Sequence, residues 1–230
     1  IGPQEEGLIE KIKAIVNSDK PIDFSGQIKV IAQFKKNDGD TAVYRPLSVY
    51  DNLKTKTLIS LASGYLTKYL DGCLHEEILA YRPKRVYHDS YRTTSGEDAI
   101  YGIQDFIDQH YEQPIYVAEC DIQKFYDVIN HDVVLRCFRQ IAQEAQLPQS
   151  HEVERILKAY LDSYSFQKDI MSLNECEEYW VPYRQRQKKQ AKQFCRFEWV
   201  SDECLNDCYG NDEELDACKA LLGVPQGGAL

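Results

Sequence analysis

Ile115-Tyr116-Val117-Ala118-Glu119-Cys120-Asp121, continued by Ile122-Gln123-Lys124-Phe125-Tyr126-Asp127, is the stretch on which the fold turns. Tyr116, Ala118 and Cys120 alternate with Val117, Glu119 and Asp121, which predicts a strand over 115–120 with Glu119 and Asp121 on one side. Asp121 then ends an apolar strand, where a metal ion and a phosphate group can meet its carboxylate. An isolated Asp at such a junction is ordinarily a cap. Here the aromatic neighbours and a second segment, Val224-Pro225-Gln226-Gly227-Gly228-Ala229-Leu230, argue for a ligand. That segment is a Pro/Gly-restricted turn presenting an amide side chain and bare backbone.

Outward from this stretch the elements are short and well punctuated. Residues 5–17 predict an amphipathic helix with Leu8, Ile9, Ile12 and Ile15 on one side. Ile28–Phe34 and Thr41–Val49 flank an Asp-Gly turn, a hairpin signal whose tip and edges carry Lys35, Lys36 and Arg45. Asp51 is the expected cap of the next helix, with Leu58, Ala62, Tyr65 and Tyr69 on one face and Gly72 as its stop. Pro83 biases Arg82 towards extended geometry. A helix starts near Ser95 with Ala99, Ile103 and Phe106 together, and Pro114 divides it from the strand. Downstream, Asn130 caps a helix over about 132–142, and another spans about 151–164. Residues 165–218 change character: Tyr183-Arg184-Gln185-Arg186-Gln187-Lys188-Lys189-Gln190 is basic, and an acidic run follows Asp202. The plainer expectation is a dispensable surface insertion of solvated charges; the functional alternative is a basic arm against RNA.

The chain has 230 residues, 43% of them hydrophobic and 11% aromatic, enough for a buried core. No apolar run is long enough to span a bilayer, so a soluble, cytoplasmic protein is expected. The net charge of −10 argues against nucleic acid only on average. Residues 27–92 hold 11 Lys/Arg against 7 Asp/Glu, whereas 201–216 hold 7 Asp/Glu and no Lys/Arg. Local basic surface is what counterion release responds to. Of eight cysteines, Cys73, Cys120 and Cys137 lie in apolar stretches and are expected as buried free thiols. Cys204 and Cys208 have the spacing of half a zinc site, without a second close pair to complete it.

In these segments and their order the chain resembles reverse transcriptases, particularly the bacterial type related to group II intron-encoded and defence-associated enzymes. The resemblance covers roughly residues 28–138 and 223–230. It implies a mixed α/β (α+β) right-hand architecture, with fingers over 1–112 and a partial palm over 113–230 that includes a fingers return and the charged insertion at 165–218. It implies RNA-directed DNA polymerisation, with Mg2+, a deoxynucleoside triphosphate, an RNA template and a DNA primer, and no membrane. Asp121 resembles the family's catalytic metal ligand, with Ile122 as the second metal-binding position. Tyr126 resembles the aromatic that packs beneath the incoming sugar and excludes a 2′-hydroxyl. Tyr44-Arg45-Pro46-Leu47 and Tyr81-Arg82-Pro83-Lys84-Arg85 resemble the two arginine-proline segments of the fingers. Lys36 and Arg45 then match the hairpin pair that closes over the triphosphate, and Arg82 the second segment's arginine. Gln226 and Gly227 resemble the turn beside the nucleotide and the template base. Phe125 is expected in the core, Lys35, Lys84 and Arg92 as ordinary surface charges, and Asp127, Asn130, His131 and Asp132 in turn and cap formation.

Two departures qualify the resemblance. The family's aromatic-x-Asp-Asp metal motif and its thumb do not occur within these residues, and the interval between Asp121 and Gln226 is long. The sequence, lacking an initiator Met and closing within a motif, is therefore expected to be a piece of a longer protein and inactive by itself. The rival reading is a non-catalytic RNA-binding or maturase-type module. Asp121 and Tyr126 favour the enzyme, because a pure scaffold needs neither.

Overall fold

The computed structural model describes residues 3–38, 41–80, 82–87, 90–122, 124–187, 193–194, 196–200, 204–205 and 212–226. The architecture is mixed α/β. Helix α1 (Pro3–Val16) leads into the hairpin β1 (Ile28–Asp38) and β2 (Thr41–Tyr50), then α2 (Leu53–Leu70) and a short 3-10 turn. A second hairpin, β3 (Pro83–Tyr87) and β4 (Ser90–Thr93), precedes α3 (Gly96–Gln109). Next along the chain come the single turn α4 (Phe125–Val128), α5 (His131–Glu144) and α6 (Ser150–Asp162). The remainder carries α7 (Glu177–Gln187), β5 (Gln193–Phe194) and α8 (Asp212–Lys219). Strand β5 adds to β2 in parallel, giving the order β1-β2-β5. No described helix is long and apolar enough to cross a membrane.

Local chemistry explains the helix starts. Asn130 Oδ1 accepts from the amides of Asp132 and Val133 and caps α5. Ser95 and Asp98 form a capping box on α3. Asn52, not Asp51, caps α2, its side chain accepting from Lys54 N at 2.9 Å. Asp51 is instead ion-paired with Lys29 across the foot of the hairpin.

Two cores hold the chain together. In the first, Ile12 of α1 and Leu58, Ile59 and Ala62 of α2 pack against Leu135, Phe138 and Ala142 of α5 and the inner face of α6. His131, Leu135, Phe138 and Ala142 recur at helical spacing, and each is buried. Cys137 falls on the opposite face and is exposed, as are Cys73 and Cys120, so the expected burial of these thiols is overturned. The second core joins Ala32, Ala42 and Tyr44 of the hairpin to Tyr164, Phe166, Ile170, Trp180 and Phe197. Both cores draw residues from either side of position 112.

That second core corrects the reading of 165–218 as a solvated surface insertion. Trp180 and Ile170 are wholly buried, and Trp180 donates its indole N–H to Leu173 O at 2.9 Å. Tyr179 and Tyr183 reach back to β1 through Val30 O and Ala32 N. The sequence is polar on average because its few large aromatics are scattered. They converge only when the chain folds onto the hairpin.

The predicted strand over 115–120 is also corrected. Residues 114–122 form neither helix nor strand, and they are exposed, Tyr116 at 91% and Val117 at 87%. Alternation specifies faces, but a strand exists only where a neighbour satisfies its amides and carbonyls. Neither described sheet includes this segment. Helix α3 likewise leaves Ile103 and Phe106 exposed.

Candidate functional site

The two segments singled out by sequence meet. The chain around Tyr126–His131 zips against Leu221–Gln226: Val224 N donates to Tyr126 O (2.8 Å), Gly223 N to Ile129 O (2.9 Å) and His131 N to Leu221 O (2.9 Å). His131 completes the clamp from its buried ring, with Nε2 2.6 Å from Gly223 O. Burial lowers its pKa below the usual histidine value, and because a carbonyl only accepts, Nε2 is the ring nitrogen that donates to Gly223 O. Gly223 is required here. Its φ is +94°, and a Cβ would lie 2.8 Å from Phe166 Cβ and 3.0 Å from Asp127 O.

From this junction the chain opens into a cleft of about 760 Å³. Asp121, Ile122, Lys124, Tyr126 and Asp127 line it, together with Lys35 and Arg45 of the hairpin and Gln226. Ser48 N donates to Gln226 O at 2.8 Å, fastening the turn to the hairpin. Tyr126 and Phe125 meet edge to face, with ring centroids 5.5 Å apart. Both are partly exposed, 44% and 41%, so Phe125 is a cleft wall and not the core residue expected.

Lys124 takes the left-handed conformation at φ 57° and ψ 29° just before α4. Its Nζ donates to Glu198 O at 3.0 Å and stands 3.9 Å from Asp127 Oδ2. Arg196, Phe197 and Glu198 thus bring the 165–218 region into the cleft wall. Arg196 is held by Glu177 and by Asn174 O.

Asp127 is the perturbed group of the site. It is 5% exposed, and Gln226 Nε2 donates to its Oδ1 at 2.9 Å. Burial pushes its pKa up to about 6, against the opposing pull of Lys124, the Gln226 hydrogen bond and Lys35. Sequence reasoning gave Asp127 a turn-forming role. An Asp between Tyr126 and Val128 carries no local mark of burial, which arises from residues far along the chain.

The other expected site residues divide. Asp121, Ile122, Arg45, Tyr126 and Gln226 share the cleft, whereas Lys36 and Arg82 are not among the residues lining it. A bulge between Phe34 and Lys36 adds one residue to β1, and Lys35 is the residue that faces the cleft. Arg45 Nε donates to Gln33 Oε1 at 2.9 Å. Arg82 is bound to Asp71 Oδ1, Asp71 O and His75 O, each at 2.8 Å, tying the segment before β3 to the end of α2. Gly227, Tyr81, Cys195, Cys208 and Lys188-Lys189-Gln190 lie outside the described residues. No group of three or more His, Cys, Asp or Glu able to hold a metal occurs among the described residues.

Comparison with known proteins adds no relative: no protein family, no curated protein and no solved structure matches this chain.

Proposed function

We propose that the cleft binds a magnesium–nucleoside triphosphate, and that this chain is the fingers and partial palm of an RNA-directed DNA polymerase acting with an RNA template and a DNA primer. One observation carries the reading: Asp121, Tyr126, Gln226 and the basic pair Lys35 and Arg45, drawn from three distant segments, line one cleft. A triphosphate needs cations on its oxygens, and a guanidinium matches them in a two-pronged contact. Lys35 takes the place that sequence resemblance gives to Lys36.

The donor set suits magnesium. This ion commonly takes one or two carboxylates and completes its shell with water and substrate phosphates, so no all-protein cage is required. The Asp121 carboxylate and the Ile122 carbonyl, both on exposed backbone at the cleft, are the groups that would hold it. When bound, such an ion polarises phosphoryl oxygens and offsets their charge. Arg45 and Lys35 orient the phosphates, while Tyr126 supplies a flat wall against which a deoxyribose packs. The Tyr126 ring is the group that would disfavour a 2′-hydroxyl on a sugar packed there.

Equilibrium binding of Mg–dATP and Mg–ATP to the chain tests this reading. Arg45→Ala should weaken dATP by about tenfold, the loss of one charge-assisted contact. Tyr126→Val should narrow the preference for dATP over ATP without lowering the melting temperature appreciably. Absence of nucleotide binding, together with salt-dependent RNA binding that Arg45→Ala weakens, would overturn it in favour of an RNA-binding module.

A further inference from the structure

We infer that Asp127 is a positioning residue: its buried carboxylate holds the Gln226 carboxamide in one orientation, amide nitrogen inward, so that the amide oxygen is what the cleft offers a ligand. The orientation stands on the geometry alone; the ligand's identity as a nucleotide rests on the reading above.

A carboxamide has two faces of opposite chemistry, and exchanging its oxygen and nitrogen changes its shape very little. Something must choose between them. An ionised carboxylate only accepts hydrogen bonds, so a Gln beside it must turn its NH2 that way. Gln226 Nε2 donates to Asp127 Oδ1 at 2.9 Å. The backbone from which the side chain springs is fixed as well. Ser48 N binds Gln226 O, Tyr160 OH reaches Pro225 O at 3.4 Å, and Val224 N binds Tyr126 O. With backbone and Nε2 both held, Gln226 Oε1 is left as an acceptor on a residue lining the cleft. The matching ligand group is a donor, such as a base amino group or a sugar hydroxyl.

An Asn at 127 would keep the shape and lose the choice, because its own amide can pair with either face of Gln226. The carboxylate is retained at a cost, since burial raises its pKa to about 6. The groups facing it are Lys124 in its own turn, Lys35 on β1, Tyr164 after α6 and Gln226. The two lysines favour the charged form that orients the amide. Once protonated, Asp127 becomes a donor and the amide is free to reverse. The cleft should then change from acceptor to donor as the pH falls through about 6.

Two measurements on the full 230-residue chain test this. The Gln226 side-chain 15N–1H2 resonances, assigned by their loss in Gln226→Ala, should titrate with a midpoint near 6 in the wild type and not in Asp127→Asn. At pH 7.5, Asp127→Asn should weaken Mg–dATP binding roughly fivefold, the worth of one hydrogen bond, and have no further effect once Gln226 is Ala. An amide that ignores pH in the wild type overturns the proposal. So does an Asp127→Asn effect of equal size in the Gln226→Ala background, since Asp127 would then act independently of the amide. If the amide titrates as expected but Mg–dATP does not bind, the orientation stands and the nucleotide reading falls.

Discussion

Replacing Asp127 by Asn should make the protein more stable near neutral pH while impairing its cleft. Asp127 is 5% exposed, and burial lifts its pKa from 3.8 to about 6. Between these values the folded chain binds more protons than the unfolded one, so stability falls as pH rises across the window and levels off above it. The displacement from 3.8 to about 6 corresponds to about 3 kcal/mol of destabilisation at neutral pH. Asn does not ionise, and its amide can hydrogen-bond Gln226 whichever way that side chain turns. The attraction of the carboxylate to Lys124, 3.9 Å away, and to Lys35 is already contained in the net shift to about 6. A gain of about 1–3 kcal/mol is therefore expected at pH 7.5 and about a third of that at pH 4.5, where the unfolded Asp is already mostly ionised and the folded one is not. Urea unfolding of both proteins at both pH values measures it. Taking the difference between proteins cancels His131, whose lowered pKa independently makes stability fall as pH drops below the usual histidine range. An Asp127→Asn protein no more stable than wild type at pH 7.5, or equally favoured at pH 4.5, would refute the reasoning.

Three further outcomes follow from packing and geometry. Trp180→Ala should cost about 3–5 kcal/mol in denaturant unfolding, because a wholly buried indole leaves a cavity between the hairpin and α7; a negligible loss would restore the dispensable insertion. Gly223→Ala should cost at least about 2 kcal/mol, since a positive φ and contacts with Phe166 and Asp127 O leave its methyl no space; unchanged thermal melting would show that this junction yields. Arg82→Ala should lower the melting temperature by releasing Asp71 and His75, and leave Mg–dATP affinity unaltered; a weakened nucleotide with normal melting would place Arg82 at the phosphates after all.

The sequence by itself determined what is local. The β1–β2 hairpin, the start of α3 at Ser95, the Asn130 cap and the face of α2 carrying Leu58 and Ala62 were all legible, because turn residues, caps and periodicity act within a few positions. So was the pairing of the Asp121 stretch with the Gln226 turn as candidates for one site, and both line the cleft. Only tertiary structure decided the rest. Alternation over 115–120 marks faces, but a strand needs a partner, and none of the described strands provides one. A single-residue bulge aims Lys35, not Lys36, at the cleft, and nothing in Phe34-Lys35-Lys36 announces it. Arg82 is engaged by Asp71 and His75, eleven and seven residues upstream, through contacts that the Tyr81-Arg82-Pro83 motif does not announce. The aromatics of 165–200 form a core only with Ala32, Ala42 and Tyr44 beneath them. Asp127 acquires its burial and its Gln226 partner across 99 positions of chain. Its altered chemistry is therefore a property of the enclosure, since desolvation depends on everything that surrounds a charge and not on its neighbours in sequence.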